Sequence, residues 1–241
     1  MESAKTYRKV AFDMSYVQLG WSLWFFGIVL IIYIAFSFLF GMDAQGNNDL
    51  GQWVFRFMGG VEAGETDLGR GFIGFILMPA KIYMIICGYN SVSHFLNYFV
   101  RHGVTRKAYF YGAAISSAVL SLGIALMAGA VVWIEQVLFS RVRLDASWTA
   151  VVLSLALNIL AYYVIGWLIG AGFYRFGIGG VLFIPLALAL LLVTESLWAA
   201  ETLRGMNVVP NVSVPALATL ILLGVALWIV RMTTKRVRVR L

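Results

Sequence analysis

Apolar residues run in long blocks, parted by short stretches rich in charge and glycine, at 20–40, 72–98, 108–139, 148–174, 178–194 and 212–232. A helix rises about 1.5 Å per residue, so about 20 apolar residues cross a hydrocarbon layer of about 30 Å. Each block therefore predicts a membrane-spanning helix, and together they predict an all-α, polytopic membrane protein with six transmembrane helices. The second and third blocks are longer than a bilayer requires and must tilt or continue as helical stalks beyond its surface. The first is long enough to span and is followed by no credible cleavage site. It is expected to stay as the first membrane helix rather than to leave as a signal peptide.

The segments between the blocks carry weaker patterns. Tyr7, Val10, Ala11, Met14 and Val17 recur at helical spacing, with Lys5, Arg8 and Lys9 on the other side. Residues 1–18 thus predict an N-terminal amphipathic interfacial helix lying along the inner membrane surface. It either orients the first span or docks a cytoplasmic partner. The segment 41–70 mixes five acids and several glycines with Trp53, Val54, Phe55, Phe57 and Met58. The segment 195–215 mixes Leu197, Trp198, Leu203 and Val208 with polar residues and two prolines. Both are read as extracellular: interfacial aromatic anchors, or structure folded against the outer mouth, partly re-entrant in the second case.

Composition removes the soluble alternative. Apolar residues make up 61% of the 241 and charged residues 12%, whereas soluble domains carry roughly half and a quarter. The blocks leave room for a single transmembrane domain over 1–241 and for no sizeable extramembrane one. The net charge of +7 raises the question of nucleic acid, which the distribution of charge answers. With the N-terminus inside, the inner segments hold twelve Lys and Arg against Glu2 and Asp13, and the outer ones five Arg against nine acids. That asymmetry predicts cytoplasmic termini and needs no nucleic acid to explain it. Cys87 is the sole cysteine, so no intrachain disulfide forms.

Candidate chemistry is sparse. The inner turn between the second and third blocks reads HFLNYFVRHGVTRKAYFYG. Gly103 suits a helix C-terminus, Thr105 the N-cap of the next helix, and Arg106 and Lys107 the inner surface, so the turn is expected to be a tight helical hairpin. Because the second helix is long, the tip is expected to offer a basic, partly aromatic knob to a cytoplasmic protein. Lys81 falls near mid-membrane, two residues after Pro79, with no acid evident at its depth. It lines a pathway or pivot with Pro79, forms a structural pair with it, or snorkels outward.

Reflection of the hairpin about Gly103 sets Arg70 opposite Glu135, each about 33 residues away, an expected ion pair at the outer surface. His94 and His102 lack thiol or carboxylate company, and no metal is expected. Gly166 and Gly170, and Ala113, Ser117 and Ser121, mark stripes where helices can approach closely. The chain has no GxxxxGK[ST] loop, GxSxG elbow or HExxH, and no cluster of intramembrane acids. It is expected to be no enzyme by itself, and any chemical energy is expected to enter through another chain.

In layout, and in Arg101, Gly103, Val104, Thr105, Arg106, Lys107 and Tyr109 of the inner turn, the sequence resembles the permease subunit of an ABC-2 type exporter. The resemblance implies that residues 99–107, with Phe99 at their start, form a coupling helix seated in a groove of a cytoplasmic ATP-binding cassette subunit. That subunit binds ATP and Mg; this chain carries no cofactor. A second permease copy, identical or related, completes the assembly in a bacterial cell membrane. Similar small permeases export amphipathic peptides such as phenol-soluble modulins or confer immunity to antimicrobial peptides, so the implied cargo is an amphipathic peptide, with lipids or drugs equally compatible. Two other classes of function stay open: a self-sufficient channel or ion-coupled carrier, supported by Lys81, and a peptide-sensing or immunity subunit that binds without transport.

Overall fold

The computed structural model describes residues 2–40, 72–139, 148–202 and 213–235, and among these the chain is helical except at the turn 102–105. The α-helices are α1 (Glu2–Phe40), α2 (Phe72–Asn90), α3 (Leu96–Arg101), α4 (Arg106–Phe139), α5 (Trp148–Phe176), α6 (Phe183–Thr202) and α7 (Ser213–Lys235). A π-helical turn, Ser91–Phe95, joins α2 to α3, and a 3-10 stretch, Gly177–Leu182, joins α5 to α6.

Five segments are long and apolar enough to cross a membrane: Thr6–Ser37, Phe72–Arg101, Arg106–Val137, Trp148–Trp198 and Ser213–Lys235. The fourth bends back on itself. Gly177 takes a φ of +58°, a left-handed conformation that glycine adopts without a Cβ penalty. Phe183 then packs beside Gly172, and Tyr162 of α5 reaches Glu195 of α6, so the two helices run antiparallel. α6 continues to Thr202, beyond the block end expected at 194.

The expected separate helix over 1–18 is corrected. α1 is one uninterrupted helix of 39 residues, about 58 Å long at 1.5 Å per residue. Val10, Ala11 and Met14 of its apolar stripe are buried, and Tyr7 and Val10 pack over Gly112 of α4. The stripe was legible; its neighbour was not, because lipid and a second helix ask for the same apolar face. No proline or glycine falls between Glu2 and Leu19 to stop the helix.

Two parallel helix pairs form the frame. α1 lies along α4, with Val10 beside Gly112, Leu19 beside Gly123 and Tyr33 bonded to Glu135. α2 lies along α5 at a separation only glycine allows: Gly88 meets the backbone of Tyr163 and Trp167, Gly166 that of Ile85, and Gly170 that of Tyr89. The expected close approach at Gly166 and Gly170 is therefore present, with Gly88 as its counterpart. Ala113, Ser117 and Ser121 are buried on α4, where both serine hydroxyls donate to carbonyls of their own helix. Trp167, Tyr163, Phe72 and Phe75 fill the interior, while Trp24, Ile31, Leu192 and Trp228 are exposed on the circumference. An apolar circumference suits a hydrocarbon solvent.

Candidate functional site

The α3–α4 hairpin closes within four residues. Gly103 has a φ of +79°. Its N–H donates to Val100 O at 3.1 Å, and the Val104 N–H reaches back to Phe99 O at 3.0 Å. This bond pair is the Schellman closure of a helix C-terminus. On the other side the Thr105 hydroxyl accepts the Ala108 N–H at 3.3 Å, capping α4, and Thr105 O accepts the Tyr109 N–H at 2.9 Å. Both capping residues are those the sequence singled out.

The residues expected to form a coupling helix, 99–107, span the closed hairpin turn and the helix ends on either side of it. Phe99 and Arg101 close α3, and Arg106 and Lys107 open α4. Arg101, His102, Gly103, Thr105 and Lys107 are exposed at the tip, Val104 and Arg106 are half-buried, and Phe99 is buried. Phe99 packs on Tyr109, whose hydroxyl donates to Ser91 O in the π-helical turn. Asn97 donates to Ser93 O at 2.9 Å and accepts from the Tyr174 hydroxyl of α5 at 2.9 Å. The tip is thereby anchored to α5 and is continuous with α2.

Basic side chains gather at this end of the bundle. Arg175, at the end of α5, donates to Met232 O and Thr233 O near the end of α7. Arg231 donates to the Tyr111 hydroxyl at 3.2 Å and stacks over its ring. Arg8 and Lys9 are exposed directly after Tyr7, which contacts Gly112, at the same end.

Deeper in the bundle, Lys81 has the acid the sequence did not reveal. Its ammonium donates to Glu195 Oε1 at 2.8 Å, and the Tyr162 hydroxyl donates to the same oxygen at 2.6 Å. The ammonium also lies over the Tyr162 ring, 5.1 Å from its centre. The Lys81 side chain is 8% exposed and that of Glu195 37%. Outward snorkelling of Lys81 is thus corrected, as is the expectation that no acid shares its depth. Glu195 was grouped with the extracellular segment because the hydrophobic block ends at 194. The antiparallel return of α6 carries it back to the level of Tyr162. Pro79 lies within α2, which continues through it, two residues from Lys81.

At the opposite end from the hairpin, Glu135 accepts from the Tyr33 hydroxyl and, at 3.2 Å, from the Phe72 N–H that opens α2. Arg70, its expected ion-pair partner, lies outside the described residues. Sequence reasoning also passed over a polar lattice in the core. Gln18 donates to the Tyr163 hydroxyl at 3.2 Å and accepts from Ser116 at 3.2 Å, and Ser22 pairs with the Tyr83 hydroxyl at 2.9 Å. Gln18 and Ser22, one turn apart in an apolar helix, were the available signal. Cys87 is buried, His94 is exposed, and His102 bonds its Nδ1 to Tyr98 O at 2.7 Å. Among the described residues no group of three His, Cys, Asp or Glu is placed to hold a metal ion.

No family model, no curated protein and no solved structure matches this chain.

Proposed function

We propose that the chain is the permease subunit of an ATP-driven exporter of the ABC-2 type, worked by a separate ATP-binding cassette subunit that grips the tip at 99–107. One observation carries this reading: a doubly capped, exposed hairpin tip stands at the end of the bundle where basic side chains gather. A positive end faces the cytoplasm, and a rigid tip passes force along its helices instead of absorbing it. Displacement there is carried through α3 and the π-helical turn to α2, which holds Lys81 and is locked to α5 by glycine contacts. In this reading α5 and α6 cross separately, giving six spans with both termini inside a bacterial cell membrane. Two permease copies and two ATPases assemble, ATP and Mg are bound by the partner, and an amphipathic molecule, a peptide in the first instance, is exported.

Co-expression with a neighbouring ATPase tests the reading. Arg106→Glu together with Lys107→Glu is expected to lower ATP turnover of the co-purified assembly by at least about tenfold, the effect of about 1.4 kcal/mol at the contact, with membrane insertion intact. Unchanged turnover, or failure of any ATPase to co-purify with the wild-type chain, contradicts it. The Lys81–Glu195 pair favours a second reading, a self-sufficient ion-coupled carrier. Transport by the single chain in liposomes without nucleotide selects that one.

A further inference from the structure

Three helices, α5, α6 and α7, bring unpaired polar side chains to one level of the bundle, a turn from the Lys81–Glu195 pair. α5 and α7 run parallel, since Ala161 and Val164 pack with Leu223 and Ala226 while Arg175 reaches Met232 and Thr233 further along. α5 and α6 run antiparallel through Tyr162 and Glu195. One helical turn from that contact, toward the end away from the hairpin, lie Asn158 on α5, Trp198 on α6 and Thr219 on α7. Asn158 is 8% exposed and Thr219 is fully buried. Asn158 Oδ1, Trp198 Nε1 and Thr219 Oγ1 are buried with no hydrogen-bond partner among the described residues.

An unpaired buried polar atom bears its whole desolvation penalty, and a hydrocarbon surrounding offers it no water. Three such atoms at one level, a turn from an ion pair, point to a guest that supplies their partners. The set comprises an acceptor, a donor and a hydroxyl that does both, beside an ammonium and a carboxylate. The three unpaired atoms ask for a guest with both donors and acceptors, and the Lys81–Glu195 pair, closed at 2.8 Å, sets a charge of each sign beside them that favours a guest carrying a positive and a negative group together. Its route is set by exposure: the Lys81 side chain is enclosed, whereas Glu195 is partly open and shares an α6 face with exposed Leu188 and Leu192. An exposed apolar face on a helix long enough to cross a membrane suits lipid rather than water.

We propose that this band binds the zwitterionic head of a lipid-like amphiphile, which enters sideways past Glu195 while its tails stay against Leu188 and Leu192. Binding is a property of this chain alone, so the proposal stands or falls separately from the ATPase reading.

The test uses the full chain in phosphatidylglycerol nanodiscs, titrated calorimetrically with dihexanoyl-phosphatidylethanolamine, with dihexanoyl-phosphatidylglycerol and with free glycerophosphoethanolamine. The zwitterionic lipid is expected to bind saturably and at least about tenfold tighter than either other probe, the worth of one good polar contact. Thr219→Val keeps the side-chain shape and removes only the hydroxyl, and Asn158→Leu removes the amide. Each is expected to weaken binding by about tenfold while melting at or above the wild type without probe, because an unpaired polar atom has gone. Glu195→Gln is expected to erase the preference for the zwitterionic over the anionic lipid. Equal binding of the two lipids overturns the proposal, and equal binding of the tail-less head overturns the route through lipid. A Thr219→Val chain that melts lower with binding unchanged assigns the band a structural role only and overturns the proposal as well.

Discussion

Gly166→Ala tests whether α2 and α5 are held at glycine distance. A Cβ at 166 would press on the Ile85 carbonyl oxygen and lie 2.8 Å from its carbon and 2.9 Å from its Cα. Carbon atoms pack at about 3.5–4.0 Å, so α2 must retreat by about 0.7 Å or more. The three nearest atoms are all backbone, which no rotamer change can clear. The retreat also opens the contacts of Gly88 with Tyr163 and Trp167 and of Gly170 with Tyr89. Overpacking costs about 1–3 kcal/mol, and rigid backbone places this case near 3. At about 2–4 °C per kcal/mol for a chain of this size, the melting temperature is expected to fall by about 6–12 °C. Tryptophan fluorescence in detergent reads it. Gly224→Ala is the internal control: its Cβ meets nothing within 4 Å, and alanine there is expected to be neutral or stabilising by up to about 1 kcal/mol. Equal melting of Gly166→Ala and wild type, or an equal loss at Gly224, refutes the close-packing argument.

The Lys81–Glu195 pair is expected to be asymmetric. Glu195→Leu leaves an enclosed ammonium unpaired and is expected to cost about 3–5 kcal/mol; Lys81→Met leaves a partly open carboxylate and costs less. The double variant recovers most of the Glu195→Leu loss in the same melting assay, and additive losses would exclude the pair. Thr105→Ala removes the hydroxyl that accepts the Ala108 N–H and is expected to cost about 0.5–2 kcal/mol. Hydrogen exchange should speed up at residues 106–108 with α5 unaffected, and unchanged exchange there would deny the cap.

Local signals were legible in the sequence and long-range ones were not. Gly103 and Thr105 act on neighbours within five residues, so their types alone forecast the closed hairpin. Hydrophobic block length forecast the long helices, because bilayer thickness and helix rise are fixed. Glu195 escaped because it is 114 residues from Lys81 and because hydropathy marks where apolar composition ends, not where a helix stops or which depth it returns to. The α1 stripe was read as facing lipid because Val10 and Met14 satisfy a bilayer and a neighbouring helix equally. Gly166 and Gly170 announced a close approach, yet only the parallel register of α2 and α5 supplies Gly88 as the other half. The unpaired Asn158 and Thr219 look like ordinary polar interruptions until the register of α5 and α7 sets them at one level.

The most direct test of the account is the sidedness and occupancy of the hairpin tip. In a Cys87→Ala background, His102→Cys puts a single thiol at an exposed position. A membrane-impermeant maleimide is expected to label it in inside-out vesicles, to leave it unlabelled in intact cells, and to lose access when the ATPase is co-expressed. Labelling from outside intact cells, or undiminished labelling with the ATPase present, contradicts the account.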